Sequence, residues 1–177
     1  MKTRLRPFLP VALAGLAALL LVAPPIGAID VPQTRQEFVK AVTDGARGAK
    51  METLVIERSF DEVYKTLEAR TTPCLDKTVQ RSSYVGYWER SSSDYTPTLK
   101  RMGPDRAEFT MQVAHNPRGV GHKPPPGGLY FMAADLKRAG ASRTEVVLYK
   151  PTIGFKNIAK SFVQWVDGQS TECPKLK

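Results

Sequence analysis

The stretch GFKNIAKSFVQWVDG, residues 154–168, constrains the fold more than any other part of the chain. Phe155, Ile158, Ala159, Phe162, Trp165 and Val166 recur on one helical face, with Lys156, Asn157, Lys160, Ser161 and Gln164 opposite. This spacing predicts an amphipathic helix of about 14 residues, roughly 21 Å long. An apolar stripe that wide and that aromatic calls for a sheet beneath it.

The sequence supplies the strands for such a sheet. In RAEFTMQVAH, Ala107, Phe109, Met111 and Val113 alternate with Glu108, Thr110, Gln112 and Ala114. Strict period two predicts a strand with one core face and one wet face. LYFMAADL (129–136) and RTEVVLYK (143–150) follow, joined by residues 137–142 with Gly140 as the turn residue, which makes the last third an antiparallel meander. Asp135 interrupts the apolar run of the first of these and reads as a solvent-side charge near a strand end. Upstream, METLVIER (51–58) reads as a strand. TVQRSSYVGYWER, from Thr78, reads as another, with SSSD (91–94) as a turn and YTPTLKR continuing beyond it. Pro97 marks an edge or irregular strand there. Tyr84, Tyr87, Trp88 and Tyr95 cluster around the expected turn as an aromatic patch or as cross-strand neighbours.

Two more helices announce themselves by their starts. Thr34 and Glu37, and again Ser59 and Glu62, have capping-box spacing. The first opens a short arm carrying Phe38, Ala41 and Val42. The second carries Phe60, Val63 and Leu67 and is expected to end around Thr71 to Pro73, because a residue before proline is pushed out of the helical region. The class is therefore α+β: an antiparallel sheet of five to six strands, in the order β-α-β-β-β-β-β-α, with the C-terminal amphipathic helix packed on it.

Lys2, Arg4 and Arg6, the apolar run VALAGLAALLLVA (11–23) and the small residue Ala28 have the layout of a cleaved secretory signal over residues 1–28. The apolar run is short of the ~20 residues that cross a bilayer. Residues 29–50 then form the helical arm and 51–177 a single domain, in the periplasm or secreted. The whole chain carries 26 basic and 17 acidic residues, +9; losing the three basic residues of the signal leaves +6. Export and the absence of any nucleic-acid-binding motif exclude nucleic acid as the natural partner. Anionic lipid headgroups or lipopolysaccharide fit an exported basic protein better, and a solvated basic surface with no partner accounts for the charge as well. Cys74 and Cys173 are the only cysteines, and an even count in an oxidising compartment predicts a disulfide.

The chemistry-bearing residues are sparse. His115 and His122 flank a Gly/Pro-rich connection (116–128) with Asp105 and Asp135 near neighbouring strand ends, yet without metal-ligand spacing. Gly119-Val120-Gly121 looks like part of a phosphate loop, but three prolines lacking amide hydrogens and then a strand follow it, not a helix. No nucleophile-elbow pattern occurs. No cofactor, metal or catalytic residue is expected, and the connection would suit a stiff lid over one end of the sheet.

The element order, and ERSFDEVYKTL with its Val63-Tyr64 pair, resemble the helix-grip arrangement of the START-like and polyketide-cyclase-like superfamily over residues 51–168. The chain also resembles small exported proteins of Gram-negative bacteria. The helix-grip resemblance implies an apolar ligand, lipid-like, held between sheet and C-terminal helix. Phe109, Met111, Tyr130, Met132, Phe162 and Trp165 are the candidate lining. The alternatives are a structural or interaction module of the cell envelope with a filled core and, least favoured, an enzyme on the same fold.

Overall fold

The computed structural model describes residues 31–84, 88–117 and 123–176, and only the backbone of Trp88. The expected signal segment, Tyr87, the glycine pair 119 and 121, and His122 lie outside the described residues. Val31–Lys177 forms one compact unit. Its elements are α1 (Arg35–Thr43), β1 (Ala49–Ile56), α2 (Phe60–Leu75), β2 (Lys77–Tyr84), β3 (Trp88–Gly103), β4 (Arg106–Asn116), β5 (Leu129–Arg138), β6 (Thr144–Pro151) and α3 (Lys156–Asp167).

The strands make one six-stranded antiparallel sheet in the order β1-β6-β5-β4-β3-β2, so the α+β class and element order are those the sequence predicts. β1 and β2 sit at opposite edges, and α2, which joins them, has to cross a face of the sheet. It crosses the face that α3 also covers. Phe109 of β4 meets Phe162 of α3 with ring centroids 4.8 Å apart, and Trp165 is fully buried, its indole N–H donating to Glu172 O at 3.0 Å. Buried indole thus contributes its area without leaving a donor unpaired.

Both ends of α2 are tied down. Ser59 and Glu62 form the capping box, with Glu62 N–H donating to Ser59 Oγ at 3.4 Å and Ser59 N–H to Glu62 Oε2 at 3.0 Å. Asp61 accepts from Arg101 at 2.6 Å and from Arg138 at 2.8 Å, and the two guanidinium groups lie 5.1 and 5.3 Å from the Phe60 ring centroid. The Arg138 hydrogen bond, then that of Arg101, holds the Asp61 carboxyl below the usual carboxylate range. At the other end the helix runs on to Leu75, past the expected stop, with Pro73 inside its last turn. Thr71, Cys74 and Leu75 are buried there, and this packing outweighs the single hydrogen bond that Pro73 forfeits.

Two other expectations are corrected. Residues 91–94, SSSD, are not a turn; they lie within β3, Ser93 opposite Val79 and Asp94 opposite Thr78, whose hydroxyl donates to Asp94 Oδ1 at 2.6 Å. β3 is paired on both sides over Ser92 to Tyr95, and that pairing overrides the turn preference of serine. Pro97 lies beyond the end of β2, where β3 is itself the edge. Nor is the second face of β4 wet. Thr110 is 8% and Gln112 7% exposed, because α1 and the connection after β4 cover that face. Phe38 and Val42 of α1 pack on Ala133 and Tyr149, while Gln112 donates to Pro126 O and Gly128 O, both at 2.9 Å. Gly128 stands so close to β4 that a Cβ there would lie 2.3 Å from the Val113 carbonyl carbon.

Cys74, in the last turn of α2, is joined to Cys173, beyond α3, closing a loop of sequence separation 99 with the Cα atoms 5.1 Å apart. This bridge fastens the C-terminal tail to the far end of α2. Titration of the denatured, unreduced protein should find no free thiol, and Cys74→Ser/Cys173→Ser should lose about 4 to 5 kcal/mol in urea unfolding. Two free thiols, or an unchanged midpoint, would contradict the pairing.

Candidate functional site

On the face that carries the core, the β3–β4 ladder changes character over one step. Leu99 faces Phe109, Pro97 faces Met111 and Tyr95 faces Val113; the next row on that face is Ser93 and His115. Successive residues on a face are two apart, so the sheet surface passes from apolar to polar at that row. Ser93 Oγ and His115 Nδ1 are 2.9 Å apart.

An open cleft of about 640 Å³ lies over this transition, between the sheet, the start of α3 and the C-terminal tail. Tyr95, Phe155, Ile158 and Leu176 give it an apolar side, and Ile153 stands at its margin. Arg81, Lys156 and Lys175 bring positive charge, and no carboxylate lines it among the described residues. The tail residues Lys175 and Leu176 reach the cleft two and three positions after the disulfide.

Phe155 sets the geometry. It has φ 45° and ψ 15°, the left-handed region, and is the one non-glycine residue so placed among those described. That conformation costs a side-chain-bearing residue about 1–2 kcal/mol. In it the ring stacks on Phe131 with centroids 4.1 Å apart and meets Tyr95 edge-on at 6.3 Å. As the N-cap residue it offers no side-chain acceptor, and the first backbone bonds of α3 run from Ile158 and Ala159 to Phe155 O at 3.0 and 3.2 Å. The uncapped helix start, carrying Lys156 and Asn157, therefore opens on the cleft with its positive dipole end.

The candidate lining read from the sequence lies elsewhere. Phe109, Met111, Met132, Phe162 and Trp165 are together, fully buried in the core between sheet and helices, and none of them lines the cleft. Tyr130 is apart from them, on the other face of the sheet, stacked on Phe38 at 6.2 Å. A bulge causes the separation: Met132 pairs with Met111 and Tyr130 with Gln112, which leaves Phe131 unpaired and lets Phe131 and Met132 both enter the core. Tyr95 is no surface aromatic. It is 2% exposed, and burial raises its phenol above the usual value.

The remaining chemical candidates do not converge. Asp135 keeps a partly exposed side chain off the core face, as the sequence suggests, and there it is the centre of a network beside α1. It pairs with Arg35, which also donates to Ala134 O at 3.1 Å and approaches Glu108 at 3.5 Å, and it accepts from the Tyr149 hydroxyl at 3.2 Å. Burial, then the Asp135 charge, pushes the Tyr149 phenol up. Asp105 is bonded to Arg138 at 2.6 Å. Among the described residues no three His, Cys, Asp or Glu side chains gather as metal ligands. The described part of the Gly/Pro connection, from Lys123, lies against the outer face of β4 and the segment before α1, with Gln33 donating to Lys123 O at 3.2 Å. Of its described residues, only Asn116 and Pro117 touch the cleft.

Sequence reasoning missed Ser93, Phe155 and Leu176. The alternation Ser91, Ser93, Tyr95, Pro97, Leu99 could have revealed the first as the polar end of a core face. No family model and no curated protein matches the chain.

The left-handed Phe155 has a sharp signature. Phe155→Gly should be more stable than Phe155→Ala by about 1 kcal/mol, since only glycine adopts this conformation freely, the reverse of their order in an ordinary helix. Both should be less stable than the parent in urea unfolding, and an alanine variant more stable than the glycine variant would refute the assignment.

Proposed function

We propose that the protein is a non-enzymatic binder of a single-chain acidic amphiphile, such as a fatty acid or lysolipid, acting outside the cytoplasm. The observation that carries this reading is the cleft's polarity: apolar residues at its base, three cations and an uncapped helix start around it, and no carboxylate among its described lining. Its volume, about 640 Å³, lies in the ~300–1,000 Å³ range of small-ligand sites. The acyl chain would lie along Tyr95, Phe155, Ile158 and Leu176, and the acid group would meet Lys156, Lys175 or Arg81. Ser93 and His115, at the polar row, would hydrogen-bond the headgroup.

The location rests on the signal-like residues 1–28 and is supported by the Cys74–Cys173 disulfide, a bond that persists in oxidising compartments. No helix among the described residues is long and apolar enough to cross a membrane. Kinship with the helix-grip superfamily belongs to the same proposal, supported by the element order and by a cleft between the sheet and the C-terminal helix.

Native mass spectrometry of the chain from Ile29, incubated with dodecanoate or with dodecanol, tests the reading. A single-molecule adduct should form with dodecanoate and be weaker with the uncharged alcohol. Ser93→Trp, which puts an indole into the cleft at its polar row, should weaken it at least about tenfold, some 1.4 kcal/mol. No adduct, or equal binding by Ser93→Trp, would favour an envelope interaction module without a ligand.

A further inference from the structure

Beside the ligand cleft, a second open cleft of about 640 Å³ lies between the β1–β6 edge and α3, and its charge is almost all of one sign. Lys50 and Lys150 enter it as direct cross-strand partners, and Lys156 and Lys160, four apart on α3, enter it from the helix. Among its described lining residues Glu52 is the only carboxylate, 2.5 Å from Lys150 and 3.6 Å from Lys50. Lys156 and Lys160 have no ion-pair partner among the described residues. Lys156 borders both clefts. Ile153, three residues before it, is 81% exposed, the most exposed large hydrophobic side chain described.

We propose that this end of the molecule, with Ile153 at its tip and Lys50, Lys150, Lys156 and Lys160 beside it, docks on the surface of an anionic lipid bilayer. The lysines supply attraction to acidic headgroups, and their long stems can lie along apolar surface while the ammonium groups reach the phosphates. Ile153 supplies what a purely polyanionic partner would leave exposed to water, an aliphatic side chain able to enter the acyl boundary. A nucleic acid offers bases to stack, and this surface presents an aliphatic tip. Docked this way, the ligand cleft, which Ile153 and Lys156 also line, would face the source of its amphiphile. Only that last consequence rests on the proposed function; the docking itself does not.

The test is co-sedimentation of the chain from Ile29, whose sheet, helices and disulfide form one unit, with vesicles of phosphatidylcholine alone or mixed with phosphatidylglycerol. Binding should require phosphatidylglycerol and disappear near 1 M salt, where the Debye length is about 3 Å. Lys50→Gln/Lys160→Gln, which leaves the ligand cleft's lining untouched, should lower the partition coefficient about thirtyfold. Ile153→Asp should lower it at least about tenfold. Both variants change exposed side chains, and an unaltered thermal midpoint would verify their folding. Equal binding to both vesicle types, no binding to either, or variants that bind like the parent would overturn the docking surface. A parent protein that forms the dodecanoate adduct yet binds no vesicles would overturn this inference alone, and one that binds the anionic vesicles yet forms no adduct would overturn only the ligand reading.

Discussion

The stacking of Phe155 on Phe131, 4.1 Å between centroids, fixes where α3 begins, and much else follows from that point. Phe131 is available for it because the bulge in β5 turns two consecutive side chains inward. Phe155 reaches it only by taking a left-handed backbone, a cost of about 1–2 kcal/mol that burial of two rings can offset. The ring pair thus separates the filled core under α3 from the open space beyond its N-terminus.

The disulfide acts on the other side of that space. By tying the tail to the end of α2 it brings Leu176 and Lys175 to the cleft, so a wall of the site is made by residues that form no helix or strand. The two faces of the sheet divide the remaining work. One carries the core, α2, α3 and the cleft; the other is sealed by α1, the Arg35–Asp135–Tyr149 network and the proline-rich connection. The connection that looks most like a site in the sequence therefore serves, in its described part, to cover the outer face of β4.

The fold was legible where a period ran unbroken. The stripe of α3 and the alternation of β4 name their own class, and the Ser59–Glu62 box places the start of α2. Three local preferences misled because tertiary pairing outweighed them: Pro73 inside α2, serines inside β3, and Phe155, which has helical spacing but sits outside the helix with a left-handed backbone. The site was less legible than the fold. Large apolar residues at core spacing, such as Phe109 and Trp165, fill a core or line a cavity with the same pattern, and here they fill it. What makes the cleft is the point at which a core face turns polar, together with a tail held there by the disulfide and by the Trp165–Glu172 hydrogen bond.

Amide chemical-shift mapping during titration with dodecanoate tests the central claim most directly, because it reports where the ligand sits as well as whether it binds. The account requires the largest saturating changes at Ser93, Tyr95, His115, Phe155, Lys156 and Leu176, with Thr110, Gln112 and the α1 residues unaffected. Changes centred on the outer face of β4, or spread without saturation over exposed lysines, would contradict it.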